Sequence, residues 1–147
     1  MQKTYRYALS DICMPCIYKL MKDGIVVYVG QTRFGLKRVL SHLPQKNFDS
    51  VELIPCKIEE LDQLEIEYIC KYQPFLNNEL TNCSSVGCIR KKLKDIGYNY
   101  YTQVVVKYIR EHNIKTYELK NKLYIANTIL DDVCNGIILE NEGGINV

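Results

Sequence analysis

No apolar run in this 147-residue sequence approaches the roughly 20 residues that cross a bilayer; the longest is Ile25 to Val29. A membrane-spanning role is therefore not expected. A disulfide framework is lacking as well, because the seven cysteines are odd in number and unevenly spaced. Residues 1 to 10 carry no basic-then-apolar leader, so the expected address is the cytoplasm or the nucleoid. Cys13-x2-Cys16 and Cys83-x4-Cys88 do not form a convincing zinc site, since the first pair enters a strand-like run and the second spacing is loose. Cys56 and Cys70 fall on core-facing elements, where a free thiol packs as a small hydrophobe. A large charge excess is missing too, at +2 overall. Nucleic-acid binding would need a local concentration of Lys and Arg.

What is present is patterning. Apolar and aromatic residues make up 47 % of the chain, enough for one typical domain or two compact ones. Two β-prone runs, Cys16 to Met21 and Ile25 to Val29, flank Lys22-Asp23-Gly24, and Asp-Gly is a strong hairpin signal. From Phe34 to Leu43, Leu36, Val39, Leu40 and Leu43 repeat at helical spacing until Pro44 stops the pattern. Val51 to Cys56 alternates as a third strand, and Ile58 to Tyr72 reads as a longer helix closed by Pro74. The order β-β-α-β-α predicts an α/β (α+β) fold over residues 1–80, a small, mostly antiparallel three-stranded sheet flanked by helices.

Glu79 to Gly87 is polar and aperiodic and marks a boundary. Beyond it, Ile89 to Ile96 and Tyr101 to His112 look helical and are joined at Gly97. Strand-like pairs flank Lys120-Asn121, and Asp131-Asp132-Val133 is expected to be a closing turn. This predicts a mainly helical module at 84–138 and a flexible tail at 139–147. The layout is similar to the winged helix-turn-helix modules of excisionase and MerR-type DNA-binding proteins. From Arg90 to Lys122 there are nine Lys and Arg against three Asp and Glu. Arg90, Lys91, Lys92, Lys94, Lys107 and Arg110 are the candidate DNA contacts, against the competing reading of a solvated helix face. His112, near a helix end, is expected to be exposed or dipole-stabilised.

The residues that could carry chemistry lie in the first half. Tyr18 and Tyr28, in neighbouring strands joined by a tight turn, can face one site, although tyrosine is also an ordinary sheet residue. Arg38 and His42, four apart, share one helix face opposite Leu36, Leu40 and Leu43. On the second helix, Glu65 falls within the apolar arc of Ile58, Leu61, Leu64, Tyr68, Ile69 and Tyr72. A carboxylate buried there is paired, metal-bound or lines a cleft, because burying it alone costs several kcal/mol. Asn77, three residues after Pro74, is placed to cap a turn or to reach back towards Glu65.

Ile17-Tyr18, Tyr28-Val29-Gly30, Arg38-x3-His42 and Glu65, followed by Pro74-x2-Asn77, match in order and spacing the motifs of the GIY-YIG nuclease family. The resemblance covers residues 14 to 78. Cys16 stands where the family name has Gly, and Val29 where it has Ile. The resemblance implies that Glu65 holds a single divalent cation, that Tyr18 activates water, and that Arg38 with Tyr28 steadies the scissile phosphate. His42 would relay the proton or bind phosphate, and Asn77 would either support the site from behind or orient the phosphate. A hard oxygen ligand with few protein partners suits Mg²⁺ or Mn²⁺. A phenol with an ordinary pKa of about 10 needs nearby positive charge to act as a base, which the cation, Arg38 and Lys19 or Lys37 would supply. Thr32, Arg33 and Lys37, beside the second strand's end, are further candidate phosphate contacts.

These readings predict a divalent-metal-dependent DNA endonuclease with a C-terminal module that positions it on DNA. The competing expectation is a catalytically idle DNA-binding regulator on a nuclease-like platform, and a purely structural protein is the third. One active site per chain means that a double-strand cut needs a homodimer or two successive nicks.

Overall fold

The computed structural model describes residues 14–42 and 45–143, and the chain divides into two compact units, Met1–Asn78 and Glu79–Val147. Cys13, the expected helix stop at Leu43 and Pro44, and the end of the tail lie outside the described residues.

In the first unit, β1 (Cys16–Lys22), β2 (Ile25–Thr32) and β3 (Ser50–Pro55) form an antiparallel sheet in the order β2-β1-β3. Asp23 and Gly24 both take positive φ, 51° and 77°, as the two central residues of the favoured hairpin turn do. Register then sorts the strands into two faces. Tyr18 stands opposite Gly30 and Leu53, and Leu20 opposite Tyr28 and Val51. This face packs against Val39 of α1 (Leu36–Leu40) and against Phe48. Lys19 stands opposite Val29 and Glu52 on the other face. There Lys19 Nζ pairs with Glu52 at 3.1 Å and donates to Tyr72 Oη at 3.4 Å. Gln31 donates to Asp62 at 2.8 Å. Tyr72 and Asp62 belong to α2 (Leu61–Tyr72), so α2 meets that second face.

Between Leu20 and Met21 the register slips, so that Val27 is an extra residue in β2. Val27 and Tyr28 both pack on the Tyr18 side, which is how a bulge re-aims a side chain.

Two expectations for this unit change. The helix expected over Ile58–Tyr72 is a 3₁₀ turn, Ile58–Glu60, followed by α2. The first helix is only five residues long, little more than one turn. Its stripe is not the expected one: Val39 is buried, whereas Leu40 is 52 % exposed. So short a helix is oriented by what it packs against rather than by its own periodicity.

The second unit comprises β4 (Cys83–Ser85), α3 (Val86–Asp95), α4 (Thr102–Glu111), β5 (Tyr117–Leu119), β6 (Lys122–Ala126), a 3₁₀ turn (Asn127–Ile129) and α5 (Leu130–Glu142). Ser85 caps α3, its Oγ accepting the Cys88 N–H at 3.2 Å. Lys120 and Asn121 turn the β5–β6 hairpin with φ of 49° and 64°. The sheet order is β4-β6-β5, and the core holds Ile89 and Leu93 of α3, Val105 and Ile109 of α4, Ile125, and Val133, Cys134 and Ile137 of α5.

α5 overturns the expected closing turn at Asp131-Asp132-Val133 and the expected flexible tail from 139, since helix continues to Glu142. The acidic pair occupies the first turn of α5, where negative charge suits the helix dipole. Val133 and Ile137, one turn apart, bury its inner face. Among the described residues no helix is long and apolar enough to cross a membrane.

Candidate active site

The site begins with Tyr18 and the residue across from it. A Cβ at Gly30 would lie 2.4 Å from both Cζ and Oη of Tyr18, so only glycine lets the ring rest on β2. The Tyr18 hydroxyl reaches His42 Nε2 at 2.7 Å. Tyr28 completes a ring cluster, with centroids 6.1 Å from Tyr18 and 5.3 Å from His42. His42 lies beyond the end of the helix on which its spacing from Arg38 placed it. It follows the end of α1, its N–H donating to the Val39 carbonyl at 3.1 Å, and is only 5 % exposed, while Arg38 stays exposed.

Electrostatics tie the remaining candidates to this cluster. Burial, then Tyr28, push the Tyr18 hydroxyl well above its ordinary pKa; Arg38 opposes them and Glu65 adds to them. Tyr28 is raised by burial first and Glu65 second, with Tyr18 and Arg38 opposing. His42 is lowered by burial, then by Lys46 and Arg38. Tyr18, Tyr28, Arg38, His42 and Glu65 therefore feel one another's charge. Burial thus favours a protonated phenol and a neutral imidazole, and which of Oη and Nε2 donates follows from the imidazole tautomer. Lys46, which the motif spacing does not include, lies over the Tyr28 ring with Nζ 4.6 Å from its centroid.

Glu65, on α2, is 5 % exposed. Among the described residues no three His, Cys, Asp or Glu side chains converge as metal ligands, and Glu65 is the carboxylate that acts on both Tyr18 and Tyr28. The Asn77 amide bonds neither a turn nor a distant carboxylate but the backbone of β2. Its Oδ1 accepts the Val29 N–H and its Nδ2 donates to the Val29 carbonyl, both at 2.9 Å. Asn77 thus holds the strand that carries Tyr28 and Gly30.

The candidate phosphate contacts separate into groups. Thr32 is buried and its Oγ1 accepts the Phe34 N–H at 3.0 Å, so it organises the loop from inside. Arg33 and Lys37 are exposed. Lys37 and Arg38 line a cleft of about 380 Å³ with Phe34 and Ser41. Lys19, considered as a charge favouring the Tyr18 phenolate, points to the opposite sheet face because neighbouring strand residues alternate.

In the second unit, Arg90 donates through Nε to the Tyr100 carbonyl at 3.0 Å and through Nη1 to Thr102 Oγ1 at 3.1 Å. Lys92 pairs with Asp131. Both side chains tie elements of the module together. Lys91, Lys94, Lys107 and Arg110 are exposed, and Lys107 and Arg110 share the outer face of α4 with Gln103. His112 is exposed, as expected, and bonds Glu140 at 3.0 Å.

No family model matches the chain, and no curated protein does. It is similar to solved structures of the GIY-YIG N-terminal endonuclease domain of UvrC from Thermotoga maritima. A tyrosine-to-phenylalanine point mutant of that domain, bound to its catalytic divalent cation, is 27 % identical with a TM-score of 0.43. The magnesium-bound form is 25 % identical with a TM-score of 0.42. Each similarity covers 48 % of this chain and 90 % of that one.

Proposed function

We propose that this chain is a divalent-metal-dependent DNA endonuclease of the GIY-YIG kind, with the Glu79–Val147 unit positioning it on DNA. The observation that carries the reading is the 2.7 Å contact between Tyr18 Oη and His42 Nε2, made beside Arg38 and Glu65. Structural packing alone does not call for a buried phenol aimed at a neutral imidazole within reach of an exposed guanidinium.

The chemistry follows from those atoms. Hydrolysis of a phosphodiester requires a base for the attacking water and positive charge for the phosphoryl oxygens. As water attacks phosphorus, the Tyr18 oxygen takes its proton while the Tyr18 hydroxyl proton passes to Nε2 of His42 in its Nδ1–H tautomer; the ester P–O bond opposite the attacking water breaks, and the departing oxygen takes a proton from solvent. Arg38 faces the non-bridging oxygens, and its exposure leaves it accessible to a backbone phosphate. Gly30 and Asn77 fix the rings without touching substrate.

The donor set fits a hard divalent cation such as Mg²⁺ or Mn²⁺. One buried carboxylate with no converging His, Cys or acidic cluster among the described residues suits an ion that keeps most of its waters. Bound at Glu65, it supplies Lewis acidity and charge neutralisation at the phosphate. On the DNA side, Lys91, Lys94, Lys107 and Arg110 would contribute phosphate contacts, and two copies or two successive nicks would be needed to cut both strands.

Supercoiled plasmid incubated with the protein and Mg²⁺, Mn²⁺ or EDTA tests the reading. Nicked or linear product should require the metal. Glu65→Ala and Tyr18→Phe should each slow it by about 10²–10³-fold while DNA binding persists. Absence of product from plasmid, single-stranded and branched DNA, with binding retained, would replace this reading by that of an idle nuclease-like platform.

A further inference from the structure

We infer that the cleft beside Arg38 is a subsite for one unstacked nucleotide of the DNA strand, with Phe34 as the platform for its base and Lys37 as the contact to its phosphate. This rests on the nuclease reading and deepens it by naming the local form of DNA that the site takes.

Phe34 is 73 % exposed, which leaves an apolar ring face open to a ligand. Its place is built rather than incidental. Its N–H is held by Oγ1 of the buried Thr32 at 3.0 Å. The following Gly35 takes φ 67° as the chain turns into α1, a conformation that side-chain-bearing residues rarely adopt. The ring lines the cleft with Lys37, Arg38 and Ser41.

Among the described residues the lining is one aromatic face, two cations and one hydroxyl, with no carboxylate. Ser41 Oγ donates to the Arg38 carbonyl at 2.6 Å, which leaves its oxygen as an acceptor. Such a lining complements a ligand that is anionic at one end and flat and weakly polar at the other. At about 380 Å³ the cleft falls within the roughly 300–1,000 Å³ of ligand sites. A nucleotide has that shape and charge, and aromatic faces stack bases regardless of sequence.

Inside a duplex, base faces are already stacked and unavailable. Phe34 can engage only a nucleotide that is unpaired or displaced, as at a bulge, flap or mismatch. Because Arg38 belongs both to this cleft and to the catalytic cluster, the nucleotide held by Phe34 flanks the scissile phosphate.

The test uses the full chain and two duplexes carrying 2-aminopurine, one fully paired and one with the 2-aminopurine as a single-nucleotide bulge. In EDTA, wild type should bind the bulged duplex more tightly and quench its fluorescence. Phe34→Ala should weaken that binding by about 5- to 150-fold, the range set by one lost stacking contact, and leave the paired duplex unaffected. Phe34→Tyr should restore the preference. Equal binding of the two duplexes by wild type, or bulge affinity and quenching unchanged in Phe34→Ala, overturns the subsite. Cleavage in Mg²⁺ is read separately on the same duplexes. Its absence in wild type would remove the nuclease reading, while the EDTA measurement would still decide whether Phe34 holds a nucleotide.

Discussion

Gly30→Ala is the sharpest perturbation of the site that replaces no proposed catalytic side chain. The added methyl would begin 2.4 Å from Cζ and Oη of Tyr18 and 2.9 Å from Cε2. Carbon contacts settle at about 3.5–4.0 Å, so the ring must withdraw by roughly an ångström. It has little room to do so, since Tyr18 is packed with Leu20, Val39 and Tyr28. Overpacking of this kind costs about 1–3 kcal/mol. The same retreat would stretch the 2.7 Å contact to His42 beyond hydrogen-bonding distance. A catalytic group misplaced by about an ångström loses on the order of 100-fold in rate. Urea unfolding followed by circular dichroism should show an earlier transition, and single-turnover nicking should slow by that factor while DNA affinity stays near wild type. An alanine variant with unchanged stability and an unchanged nicking rate would refute the idea that the tyrosine is seated on glycine.

Asn77→Ala should destabilise the first unit, because it strands the N–H and the carbonyl of the buried Val29 at about 1–3 kcal/mol each. Asn77→Asp keeps only an acceptor for the N–H, and denaturation midpoints of both variants check the ordering. Burial lowers the His42 pKa below its ordinary 6.5, so the unfolded chain takes up this proton first. The stabilising contribution is therefore complete above 6.5 and lost as pH falls below it. Cleavage should fall with pH only below 6.5, as the relay acceptor becomes protonated, and His42→Gln should abolish that limb of the pH–rate profile. For the second unit, replacing Lys91, Lys94, Lys107 or Arg110 by Ala should each reduce the salt dependence of DNA binding by about 0.9 in log–log slope. Arg90→Ala should instead lower stability and leave the slope unchanged, because its guanidinium is spent on Tyr100 and Thr102.

The parts of the fold that were legible in sequence are those written locally. Asp23-Gly24 announces its hairpin because few residues tolerate positive φ twice in succession, and Glu65 lies on the buried side of α2 because twelve residues of helix are enough for the 3.6-residue period to count. Periodicity failed where the element was too short. His42 leaves the helix that carries Arg38 because α1 stops at Leu40. Contacts between distant positions were hidden altogether, since nothing near Asn77 reveals Val29, 48 residues earlier. Lys19 could have been assigned to the far face from strand alternation alone, given Tyr18 beside it. α5 was obscured by Asp131-Asp132, which suggests a turn until Val133 and Ile137 are seen to share one buried side.

The Asn77–Val29 pairing also bears on how copies of this protein can meet. In the order β2-β1-β3, the outer side of β2 would otherwise present unpaired backbone groups, an invitation for a strand from another chain to add on. Asn77 occupies both groups of Val29, and the Leu76 N–H occupies the Val27 carbonyl at 2.9 Å. On the opposite side, β3 ends at Pro55, which has no N–H to offer an incoming strand. A side-chain amide that steadies the site thus also guards the sheet against edge-to-edge aggregation. A dimer acting on two strands of DNA would have to be built from other surfaces than a continuous sheet through β2.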